Sequence, residues 1–151
     1  MKQLDELIKE LEALIPQHGK VNSAVSQASV GWHVEHSLLV INGILSTLIK
    51  SDPQAYRWKW NLSRTVVFTK GKIPRGRGRA PKTVIPKEVF DEDNIRSLLA
   101  NIRGYLPKID ALSKQHHFKH PIFDQLNKKK TLYFIGLHTR HHLAIIREIL
   151  G

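Results

Sequence analysis

An all-α fold, a four-helix bundle, is the architecture this sequence predicts, and three observations predict it. Four long stretches carry apolar residues at helical spacing; Pro, Gly and polar residues separate them; and no stretch alternates apolar and polar residues long enough to compete as a strand. At 151 residues the chain has the length of one domain, expected to span residues 1–151 without an internal repeat. Hydrophobic residues make up 41% of it, enough for a core that needs no cross-link.

The first helix is expected over residues 4–15, where Leu4, Leu7, Ile8, Leu11, Leu14 and Ile15 share a face and Asp5, Glu6, Lys9 and Glu10 stand between them. Pro16-Gln17-His18-Gly19 ends it. After a polar lead-in, residues 30–50 form the second helix, with Val34, Leu38, Val40, Ile41, Ile44, Leu45 and Leu48 as apolar positions and Ser51-Asp52-Pro53 as the stop. Trp32 is expected to pack within the bundle. Residues 54–69 read as a weaker helix or helical turn; Trp58 and Trp60, two apart on it, would face different ways, one to the core and one to a pocket or dimer surface.

Residues 70–86 differ in kind. They are rich in Gly, Pro, Lys and Arg and read as a long basic surface loop between the second and third long helices. The third long helix, residues 91–113, buries Ile95, Leu98, Leu99, Ile102, Leu106, Ile109 and Leu112. Residues 116–127 read as a loop, with His116 and His117 as loop histidines, and the last helix spans residues 130–150.

Composition narrows function. With no cysteine, disulfides and thiolate ligands are excluded, so a metal site must use His, Asp, Glu or oxygen donors. The N-terminus reads as an amphipathic helix start, and no apolar run approaches the roughly 20 residues of a membrane span. A soluble, cytoplasmic protein without a membrane partner is expected. The formal charge of +11 favours anionic partners.

The histidines carry the chemistry. On the last helix Ile135, His138, His142, Ile145 and Ile149 follow the period of an inward-facing seam, so two imidazoles occupy positions where aliphatic residues belong, one turn apart. His36 leads into the stripe Val40, Ile44, Leu48 and should face the same core. Three imidazoles at His36, His138 and His142 could converge on a divalent ion and leave a position open for reaction; zinc and nickel both suit such donors. His33 and His141 are the rivals for ligand positions, or donors behind them. A bland reading also exists, in which a seam histidine is a hydrogen-bonded core residue.

At these residues the sequence resembles the DinB/YfiT-like superfamily of metal-dependent enzymes, and within it the DUF1569-type branch. The resemblance rests on Trp32 followed by His36, on His120-Pro121-Ile122-Phe123, on His138-Thr139-Arg140-His141-His142, and on the loop from Lys72-Ile73-Pro74-Arg75-Gly76 to Pro81-Lys82. It implies a four-helix bundle with a three-histidine site for nickel or zinc, the ligands being His36, His138 and His142. Some relatives are thiol transferases or maleylpyruvate isomerase-like enzymes that use a low-molecular-weight thiol, and dimers are common. Two positions depart: Ile145 stands where many relatives carry Gln, and Phe123-Asp124 where Phe-Gly is frequent.

Between Lys70 and Lys82 lie six cations and no acid: Lys70, Lys72, Arg75, Arg77, Arg79 and Lys82. Arg75 or Arg79 could clamp a carboxylate or phosphate of a small anionic substrate; equally, the loop could be a solvated surface. Nucleic acid ranks below both, because the Arg-Gly unit is brief and lacks interleaved aromatics. The expected function is a metal-dependent enzyme of hydrolase or thiol-transferase type, with no general base assigned, since Glu35 points about 100° away from its neighbour His36 on a helix. The alternative is a non-enzymatic module that binds an anionic partner through its basic surface.

Overall fold

The starts of the four α-helices after the first are fixed by polar side chains that accept the first free backbone N–H groups. The computed structural model describes residues 2–75, 81–87 and 89–151. The first helix, α1 (Lys2–Ala13), buries Leu4, Leu7, Ile8 and Leu11 and gives way to a 3-10 turn at Ile15–Gln17, where Pro16 ends the α-helical pattern. The Ser29 hydroxyl accepts from Trp32 N at 3.1 Å and opens α2 (Val30–Lys50). Asn61 caps α3 (Leu62–Lys70), which stops at Gly71 in the left-handed conformation, φ 60°. Asp91 caps α4 (Glu92–Ala111), and Asn127 caps α5 (Lys128–Leu150).

The long α2 packs against both α4 and α5, and α1 closes over α5 and α2. One continuous core results, with Leu11, Leu38, Ile41, Leu45, Leu48, Ile95, Ile102, Leu143 and Ile146 essentially without solvent contact. Arg103–Glu12 at 2.6 Å and Arg147–Glu10 tie α1 to its neighbours at the surface, each worth less than about 1 kcal/mol.

Three expectations need correction. Residues 116–127 are not a plain loop: His117–His120 (β1) and Asp124–Asn127 (β2) form an antiparallel hairpin with His117 opposite Asn127 and His120 opposite Asp124. Four-residue strands give too short an alternation to read, and Asp124 turns the chain with φ 58°, a conformation usually left to Gly, Asn or Asp. The fold is thus mostly helical with one small sheet. Next, only residues 62–70 of the stretch expected as weak helix are α-helical; residues 56–61 have no regular structure, between a 3-10 turn at Pro53–Ala55 and the Asn61 cap. Trp58 and Trp60 are consequently both exposed, at 59% and 66%, and neither joins the core. Finally, the basic stretch after α3 contains a 3-10 turn at Lys82–Val84 that packs on α2.

Candidate metal centre

Where α2 meets α5, the aliphatic seam is interrupted by imidazoles. His33 and His36 lie three apart on α2, His138 and His142 four apart on α5, so each pair shares a helix face. The packing of the two helices brings the faces together. Ring centroids of His138 and His142 are 4.6 Å apart, those of His36 and His142 4.7 Å, and those of His36 and His138 5.2 Å. One nitrogen from each of His36, His138 and His142 lies within 4.8 Å of the other two. These are the three residues named from the sequence.

The hydrogen bonds around them decide which nitrogens are spoken for. His36 Nδ1 donates to the Val84 carbonyl at 2.7 Å, which fixes the proton on Nδ1 and leaves Nε2 with its lone pair. Trp32, half-buried, stacks on the same ring at 4.9 Å and 14°. The Nδ1 atoms of His33 and His142 are 2.9 Å apart, and His33 Nε2 is 3.1 Å from the Ser26 hydroxyl. With neutral rings this chain has one arrangement that frees His142 Nε2: His142 Nδ1–H donates to His33 Nδ1, and His33 Nε2–H donates to Ser26. In His138, Nδ1 is buried and has no hydrogen-bond partner among the described residues. An orphaned buried nitrogen is costly by about 1–3 kcal/mol unless something satisfies it.

Burial keeps the cluster uncharged. It lowers His138 to about 3, with the neighbouring histidines His36, His141 and His120 adding to the effect. His33 falls to about 4, through burial first and then through His36, His141 and Arg75. His142 is depressed further still by burial, His138, His36, His33 and His141. In His36 burial also lowers the pKa, partly opposed by the Val84 carbonyl. Near neutral pH the three rings present lone pairs, the state a metal requires.

The other sequence candidates fall into place around this centre. His33 stands behind His142, and His141 is half-buried beside it, its ring 5.2 Å from His142. His120, in the hairpin, accepts from Ile122 N and Phe123 N on Nδ1 and stacks on Phe123 at 4.4 Å; burial lowers it to about 4. Glu35 is buried but turned to α4, where it accepts from Asn94 at 3.0 Å. Arg75 makes a two-pronged ion pair with Glu148 of α5, at 2.6 and 2.9 Å, and its charge helps to depress both His33 and His141. Arg79 lies outside the described residues. Val84 and Ser26 were not picked out from the sequence. A backbone carbonyl has no sequence signature, and Ser26 is one hydroxyl within a polar lead-in.

Three imidazole donors, each with a nitrogen to offer, fit a divalent cation. Compared with family models, with curated proteins and with solved structures, the chain matches none. Function is therefore read from the site's own chemistry.

Proposed function

We propose that this chain is a divalent-metal enzyme, of hydrolase or thiol-transferase type, built as a four-helix bundle of the DinB/YfiT-like kind. The observation that carries the reading is the convergence of three neutral imidazoles from two helices, one with an orphaned buried nitrogen. A satisfied core would have aliphatic residues or paired polar groups at those seam positions.

His36, His138 and His142 would hold zinc or nickel. Such an ion supplies Lewis acidity, lowering the pKa of a water or a low-molecular-weight thiol so that its anion is available near neutral pH. The chain's own groups prepare the place. The Val84 carbonyl orients His36; His33, backed by Ser26, orients His142; Trp32 covers the His36 ring and limits water there. Arg75 puts a positive charge near this end of the seam, suited to a small anionic substrate once Glu148 releases it.

Elemental analysis of untagged protein, purified without chelator or metal-affinity resin, tests the reading. About one equivalent of zinc or nickel is expected. Replacing His138 or His142 with Ala should abolish it while circular dichroism remains helical. Full stoichiometry in both variants would rule the ligand set out.

A further inference from the structure

The four most clustered exposed apolar side chains lie away from this centre. Among the described residues nine large hydrophobics are exposed, and four of them, Trp58, Trp60, Leu62 and Val66, fall within one short stretch. Leu62 and Val66 are one turn apart on the outward face of α3, while Arg64 on the opposite face is buried. The stretch is held in place. Arg64 donates to the carbonyls of Phe123 and Lys59, Asn61 donates to the Ile122 carbonyl at 2.9 Å, and Arg57 N donates to Gln125. The two indoles are therefore presented on a tethered segment.

The surrounding charge is one-sided. Residues 53–72, which carry the patch and α3, contain five Lys and Arg and no Asp or Glu. Cations interleave with the aromatics in Arg57-Trp58-Lys59-Trp60, and Lys130 Nζ sits 5.9 Å from the Trp58 ring centroid. Such a face must meet something anionic and partly apolar. A second copy of the chain would set two cationic segments against each other. Single-stranded nucleic acid would use flat stacking faces, yet Leu62 and Val66 offer none and Lys130 already occupies a face of Trp58.

We propose that this face docks peripherally on an anionic lipid bilayer. Trp58, Trp60, Leu62 and Val66 enter the headgroup boundary, where indoles and aliphatic groups gain most, and the flanking Lys and Arg meet acidic headgroups. No described helix is long and apolar enough to cross a membrane, so the contact is interfacial. The sequence-based expectation of no membrane partner rested on the lack of a spanning run, which does not bear on an interfacial patch.

The test uses the full chain with phosphatidylcholine vesicles, with and without phosphatidylserine, read by co-sedimentation and tryptophan emission. Binding only to the phosphatidylserine vesicles, a blue-shifted emission and weakening by salt are expected. The Trp58→Ala/Trp60→Ala double variant should partition about tenfold less well or worse, with unchanged helicity and metal content. A second variant, Lys59→Glu, should lose about fivefold or more. No binding to anionic vesicles at low salt would overturn the proposal, as would wild-type partitioning by the double variant. Tight binding of a single-stranded oligonucleotide without vesicle binding would instead assign the face to nucleic acid. Self-association abolished by the double variant, again without vesicle binding, would assign it to a second copy.

Discussion

The α2–α5 seam has two ends with the same periodicity and opposite chemistry. At one end Leu45 and Leu48 of α2 and Ile135 of α5 are buried in the common aliphatic core. At the other, the buried His33, His36 and His142 and the half-buried His138 occupy inward positions. Burial at the dry end needs only shape. Burial at the histidine end needs polar partners: Val84, Ser26 and the His33–His142 pair supply some, while the buried His138 Nδ1 has none among the described residues. The dry end holds the fold, and the histidine end stands ready for a ligand.

Mutation should separate the two ends. The largest effect expected is on His142→Ala, where metal affinity measured by competition with a chelating dye should fall by at least about a hundredfold with little loss of helicity. Leu45→Ala should do the reverse. Urea unfolding is expected to show a loss of about 2–5 kcal/mol from the cavity, while one equivalent of metal still binds to the folded fraction. A clear loss of affinity in Leu45→Ala would blur the division.

His33 sharpens the comparison within the polar end. If it orients His142 rather than ligating, His33→Ala should weaken metal binding by about 10–100-fold without changing stoichiometry, and His33→Asn, which keeps an acceptor, should recover part of that. A stoichiometric loss like that of His142→Ala would make His33 a ligand.

Acidity should act on the same end. In the metal-free protein, His33 and His120 are held to about 4, against an ordinary value of 6.5. Between those values the unfolded chain binds more protons than the folded one. Stability is therefore full above pH ~6.5 and declines as pH falls towards ~4, by up to about 1.4 kcal/mol per pH unit for each such group. Thermal melts across that window would check the sign; a flat profile would mean the rings are already charged or solvated. The smallest effect is expected at Asp124, where Asp124→Val should cost about 1–2 kcal/mol through its left-handed backbone and Asp124→Gly should change stability by less than about 0.5 kcal/mol.

Much of this was legible because helical periodicity is a long-range signal. The four long helices were readable to within about three residues of their ends from stripes such as Ile95, Leu98, Leu99 and Ile102 and from the stops at Pro16 and Pro53. His138 and His142 were readable because they break an aliphatic seam at its own period. The hairpin was not, since His117–His120 and Asp124–Asn127 are too short to alternate visibly. The Trp58–Trp60 segment was misread because its apolar content mimics a helical face, whereas the Asn61 cap starts the helix only at Leu62. The Val84 carbonyl reaches His36 across 48 residues of chain, a relation only the fold creates.

The central claim is that His36, His138 and His142 bind one divalent ion. Anomalous diffraction from crystals of the protein loaded with zinc, recorded on either side of the zinc edge, tests it most directly. One strong peak is expected at about 2.0–2.1 Å from a nitrogen of each of the three rings, with His33 outside bonding distance. A peak on the half-buried His116 and His117 alone, one ligated by His33 in place of a seam histidine, or none at the seam would contradict it.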